Sequence, residues 1–265
     1  MSESRPNTMK LNRTHLLVGR KPALASTYVV QSLAAQQQRT AAPAPAPAAQ
    51  AQVQVQARPA NVLPTPPIKA CVPTADPRLV MLADPTSDRA AAFREMRDTL
   101  ITKNMLPRML AVSSAQAGEG KTTCAINLAM ALAEHGNEKV LLLDACFEKP
   151  AIGGILGVDH TAPSWFKPFV VSSLSPSLHV ATLTPEASQS YLDISTFTRA
   201  LGMFHRAGYQ RIVMDAPCVL DAMQVLSLAG GVLLTTRAGA SRQHALRKAV
   251  EKVGAKRCVG VMLHE

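Results

Sequence analysis

An apolar run, Met109–Ser113, passes through Ala115-Gln116-Ala117-Gly118-Glu119-Gly120-Lys121-Thr122 into a stretch of helical character, Lys121–His135, closed by Gly136. No other segment restricts the fold as strongly. A strand that becomes a helix across Gly118 and Gly120 leaves backbone N–H groups pointing inward with few Cβ atoms in the way. The helix N-terminus adds partial positive charge to the same spot. Such a cradle suits a polyphosphate: the Lys121 ammonium reaches its terminal phosphates and the Thr122 hydroxyl can ligate magnesium. Ala117, Gly118, Glu119, Gly120, Lys121, Thr122 and Thr123 are therefore the candidate nucleotide-binding residues, with ATP and Mg2+ as the expected cofactors. Ala115 occupies a position where this motif usually has glycine. The competing account is a chance glycine-rich turn, which does not explain why Gly-Lys-Thr stands between a strand and a helix.

The remainder of the C-terminal two-thirds alternates strands with helices. Lys139–Asp144 is almost wholly apolar, as a strand covered on both faces should be. Further strands are expected at Leu178–Leu183, Arg211–Asp215, Gly231–Thr236 and Arg257–Leu263, with helices at Ile194–Arg206, Leu220–Leu228 and Ser241–Val253. Ahead of the glycine loop, Ser87 can cap a helix carrying Ala90, Phe93, Met96, Leu100 and Ile101 on one face. Alternation of this kind predicts a three-layer α/β sandwich with a mostly parallel sheet, a P-loop NTPase. Asp144 and Asp215 then end two apolar strands at the sheet edge that carries the loop, where ligands of such sheets bind. A carboxylate there can hold Mg2+ or orient an attacking group, so Thr122, Asp144 and Asp215 are the candidate metal ligands, and Asp144 and Lys121 the candidate catalytic residues. An aspartate at a strand end is also a common helix cap, and that alternative stays open for both.

Residues 1–80 read differently. The run from Ala34 to Pro67 is dominated by Ala, Pro and Gln and cannot bury enough apolar surface to offset ordering its backbone, so it is expected to be a disordered, semi-stiff tether. Leu11, Leu16, Leu17 and Val18 beside Arg13, Arg20 and Lys21 form either a short docking element or an unstructured basic terminus. Domain boundaries are accordingly placed at 1–80 for the leader and 84–265 for the nucleotide-binding domain. The formal charge of +10 suggests nucleic acid at first sight. Arg5, Lys10, Arg13, Arg20, Lys21, Arg39, Arg58 and Lys69 face Glu3 alone, however, so +7 of it belongs to the leader and a nucleic-acid partner is not expected. The five cysteines are scattered with no Cys-x-x-Cys pair, which favours reduced thiols in a cytoplasm over zinc or disulfides. No transmembrane span or secretory signal is read.

Taken in order, Phe93-Arg94-Glu95-Met96-Arg97, Ser113-Ser114, Gly118-Glu119-Gly120-Lys121-Thr122-Thr123, Asn127-Leu128-Ala129, Val140–Ala145, Ile212–Pro217, Asp221-Ala222 and Gly231–Leu234 resemble the bacterial tyrosine kinases. These are the cytoplasmic ATPase partners of polysaccharide co-polymerases, within the wider group of partition and septum-site ATPases. The resemblance implies action in exopolysaccharide or capsule export, a membrane co-polymerase-like partner that makes membrane contact indirect, and self-association through Arg94 and Arg97. Gln116 stands where partition ATPases carry an extra lysine, which favours the kinase branch. Three departures stand out. The usual Asp-x-Asp-x-Arg motif reads Asp144-Ala145-Cys146-Phe147-Glu148, Ala91 replaces the glutamate of the subunit-contact motif, and Tyr28, Tyr191 and Tyr209 are dispersed where the kinases have a C-terminal tyrosine cluster. Low turnover, as in an ATP-binding adaptor, is the alternative these changes support.

Smaller features receive plain readings. His135, His179, His205 and His244 are taken as surface or half-buried histidines, Cys146 as a reactive thiol or a space-filling residue, and Trp165 and Phe166 as a partner anchor or local packing. The basic residues of Ser241–Val253 are taken as a solvated face.

Overall fold

The computed structural model describes residues 28–31, 68–161, 166–184, 187, 193–239 and 243–264. In chain order the elements are β1 (Tyr28–Gln31), β2 (Lys69–Ala70), α1 (Val80–Ala83), α2 (Asp88–Thr102), β3 (Met109–Ser114), α3 (Lys121–Ala133), β4 (Val140–Asp144) and α4 (Ile152–Leu156). Then come β5 (Phe169–Ser175), β6 (Leu178–Leu183), α5 (Ile194–Arg206), β7 (Arg211–Asp215), α6 (Met223–Ser227), β8 (Gly231–Arg237), α7 (Gln243–Val253) and β9 (Cys258–His264). They build one sheet in the order β1-β9-β8-β3-β7-β4-β6-β5-β2. Two pairings, β1 with β9 and β5 with β6, are antiparallel. The others are parallel, so the expected three-layer sandwich is the observed one.

Side-chain alternation along the central strands divides the core in two. Leu110, Val112, Val140, Leu142 and Val213 point to one face, where α2 and α3 cover them. Met109, Ala111, Leu141, Leu143, Ile212 and Met214 point to the other, under α5, α6 and α7. Because the period is two, Asp144 and Asp215 follow Leu142 and Val213 onto the face of α3. That parity brings both carboxylates to the helix that begins at the glycine loop.

Local chemistry accounts for the elements. Ser87 Oγ accepts from Ala90 N (3.3 Å) to cap α2, and Asp193 accepts from Ser195 N and Thr196 N (each 2.9 Å) to cap α5. Ala90, Phe93, Met96 and Leu100 of α2 are buried as expected, whereas Ile101 is 53% exposed. Arg97 is buried in its place, bound to Glu134 Oε2 (3.0 Å), Asp98 Oδ1 (2.8 Å) and Ala131 O (3.0 Å), and it pins α2 to α3. Arg94, half-buried, reaches the same Glu134 at 2.6 Å. The two arginines expected to face a second copy are thus held by a carboxylate of their own chain.

Two expectations are revised. The folded unit does not begin at 84: Lys69–Ala70 pairs with β5, Cys71 and Leu79 are in the core, and Lys69 Nζ meets Asp159 Oδ2 at 2.6 Å. Gly157 (φ +63°) admits this segment, since a Cβ there would lie 2.1 Å from Val72 O. Residues 69–80 therefore belong to the domain, not to the leader, and β1 too lies within the stretch assigned to the leader. β5 is the second revision. It pairs with β6 across Pro176-Ser177, and its serines hid it among turn residues. The docking element around Leu11–Lys21 and the 34–67 run lie outside the described residues, as does Trp165. Phe166 stacks on Phe204 (centroids 5.3 Å apart) and is a packing residue.

Candidate functional site

The loop between β3 and α3 is anchored from its first residues. Ser113 Oγ donates to Pro217 O (2.6 Å) and Ser114 Oγ donates to Gln116 O (2.5 Å), tying the end of β3 to the loop after β7 and to its own turn. Gly118 (φ +78°) and Gly120 (φ +74°) both take left-handed backbone, the conformation that glycine adopts without strain. Gly120 is the N-cap of α3 and offers no side chain, so the N–H groups of the first helical turn have no cap acceptor. Gln116, Ala117 and Gly118, just before them, are exposed. Glu119 turns inward. Its Oε2 accepts from Gln116 N (2.8 Å), while Oε1 is buried without a partner.

His264, at the end of β9, donates from Nε2 to Glu119 O (2.9 Å). Its ring lies so close to Gly120 that a Cβ there would come within 2.5 Å of it. Lys121 Nζ donates to Cys218 Sγ (3.7 Å), and Cys218 also approaches Ser114 Oγ (3.9 Å). Cys218 and His264 both touch the loop, and neither is among the candidate site residues expected from the sequence. A cysteine three positions after Asp215 on a strand-end turn was the available signal for the first, and there was none for the second.

Asp144 and Asp215 are Cα partners in the β4–β7 ladder. Thr122 Oγ1 donates to Asp215 Oδ2 (2.7 Å), and Oδ1 of the same carboxylate is buried with no hydrogen-bond partner. Burial pushes Asp215 up to about 7, with Asp144 adding to the rise and the Thr122 hydroxyl and Lys121 opposing it. A half-satisfied carboxylate beside a hydroxyl fits a divalent cation. Thr122 and Asp215 thus meet directly.

Asp144 is used differently. Its Oδ1 accepts from Cys146 N (3.0 Å) and its Oδ2 from Ala151 N (3.0 Å) and Ile152 N (3.1 Å), so it closes the loop that follows β4 and caps α4. Burial raises its pKa, and those three N–H groups lower it. The helix-cap alternative is realised here, with one lone pair left on Oδ1. Asp144, Cys146 and Asp215 nevertheless bring one ligand atom each to within 4.8 Å of one another. Glu148 and Lys149 are exposed. His179 Nδ1 meets Tyr209 Oη at 2.7 Å, a packing contact away from this site.

The chain is similar to several known proteins. The ParA family, described as NUBPL iron-transfer P-loop NTPase, matches residues 105–192. The tyrosine-protein kinase YwqD of Bacillus subtilis is 28% identical over 187 residues, 65% of this chain and 78% of that kinase. The crystal structure of the VpsO kinase domain superposes with a TM-score of 0.54 and 28% identity over 66% of this chain and 95% of that one. The chimerical protein CapA2B2 shares the fold, with a TM-score of 0.60 at 20% identity over 74% and 93% of the two chains.

Proposed function

We propose that this chain, whose homologues are bacterial tyrosine kinases, binds ATP with Mg2+ at Ala115–Thr122 and acts in exopolysaccharide or capsule export beside a membrane co-polymerase-like partner. The single observation that carries the nucleotide site is the junction itself: left-handed Gly118 and Gly120, the open first turn of α3, and Thr122 bonded to Asp215. Lys121 balances the charge of the terminal phosphates. Ala117, Gly118, Glu119, Gly120 and Thr123 supply backbone N–H groups, and the Thr122 hydroxyl with the Asp215 carboxylate holds the cation, which supplies electrophilic stabilisation of phosphate oxygens. Asp144 holds the loop of Cys146 in place and lends its remaining lone pair.

Among the described residues no helix is long and apolar enough to cross a membrane, in keeping with contact through a partner at the inner face. Self-association through Arg94 would need its partly exposed guanidinium to leave Glu134, while buried Arg97 fixes the surface of α2.

Calorimetric titration of Mg-ATP into the full chain tests the binding reading. Lys121→Ala is expected to weaken affinity by about 100-fold, the range for a hydrogen bond to a charged group. Unchanged affinity sinks it.

The second reading, an adaptor with little turnover, is favoured by Cys146 and Glu148 standing where a carboxylate and an arginine are expected. Single-turnover hydrolysis by wild type and Cys146→Asp separates the two. A gain of about 10-fold or more in the variant supports the adaptor, and equal rates support the enzyme.

A further inference from the structure

Four of the five cysteines have evident places. Cys71, Cys124 and Cys258 are buried in the core, and Cys218 lies under Lys121. Cys146 is the exception. It is half-buried at the site, and its thiol finds a single weak contact, Asp215 O at 3.8 Å. A residue that merely filled space would sit as Cys124 does, fully enclosed in the α3 face of the core. Cys146 Sγ instead lies with carboxylate oxygens of Asp144 and Asp215, all within 4.8 Å. The second, independent observation is Asp215: the residue is 0% exposed, yet its Oδ1 has no partner. An unpaired carboxylate oxygen at that depth is costly unless a cation compensates it.

We propose that Asp144, Cys146 and Asp215 form a site for a thiophilic divalent cation, of the Co, Zn or Cd class, with the Cys146 sulfur as ligand. The proposal deepens the nucleotide-site reading and rests on it. Three hard oxygens would favour Mg2+, which takes oxygen ligands in near-ideal octahedral geometry. A sulfur in place of one of them moves the preference toward softer ions. On binding, the S–H bond is replaced by a sulfur–metal bond and the proton leaves to water. Two carboxylates and a thiolate then surround the cation, with the Thr122 hydroxyl, bonded to Asp215, completing the wall on the helix side.

Titration of the full chain with cobalt(II) chloride, followed by absorption, tests this. Wild type is expected to develop a near-ultraviolet sulfur-to-cobalt charge-transfer band. Cys146→Ser and Cys146→Ala are expected to lose it, and Cys258→Ser, remote from the site, to keep it. Cys146→Asp is expected to bind without the band and to lower the preference for Cd2+ over Mg2+ by at least about 10-fold. No band in wild type, or a band that persists in both Cys146→Ser and Cys146→Ala, overturns the proposal. Mg-ATP binding measured on the same preparations separates the two readings. Lys121-dependent binding without a band defeats the sulfur site alone, whereas absence of nucleotide binding defeats both.

Discussion

The loop after β3 keeps its first-turn N–H groups open for an outside acceptor, whereas the loop after β4 turns its own onto Asp144. Both leave the same end of a parallel sheet, one strand apart across β7. The first is built for recognition: its geometry depends on glycines, and its energy is released when a ligand arrives. The second is built for stability, since its acceptor is already in place. Side-chain truncations in the first should therefore register in binding, and those in the second in folding.

The largest effect expected of that contrast is on Asp144. Asp144→Ala removes the acceptor of three backbone N–H groups and should lower the unfolding free energy by about 3 kcal/mol in urea titration. Lys121→Ala should move it by less than about 0.5 kcal/mol. Equal losses would erase the distinction.

Asp215 bridges the two loops and should show its burial in the pH dependence. Its folded-state value of about 7 lies above the 3.8 of a free aspartate, so the folded chain keeps this proton longer. The stability it contributes is full below about pH 4 and is lost as the pH climbs to about 7. In metal-free buffer, Asp215→Asn should stabilise the protein by about 2 kcal/mol at pH 8 and by close to nothing at pH 4. Urea midpoints at both pH values check the sign.

The smallest effect sharpens the account of the first loop. Gly120→Ala places a side chain at φ +74° against the His264 ring and should cost about 1–2 kcal/mol. Adding His264→Ala should return the steric part and leave the backbone part, a split that a thermal-melt double-mutant cycle resolves.

These differences also explain what could be read from the residues alone. The glycine loop was legible because its chemistry is contiguous: strand, glycines, lysine and threonine follow one another. Asp144 and Asp215 were placed because each ends an apolar run. The capping role of Asp144 was left as an alternative because its acceptor duty reaches to Ala151 and Ile152, at the start of a helix whose Gly153-Gly154 argues against helix. Residues 69–83 have too few residues per element to show a period, and β5 alternates too weakly through its serines. Cys218 and His264 come to the loop from distant segments, which no local pattern reports.

The contact between the His264 imidazole and Glu119 O ties the end of β9 to the glycine loop, although the two lie far apart in sequence. A displacement of that strand is therefore passed to the cradle, so nucleotide affinity senses how firmly β9 is seated.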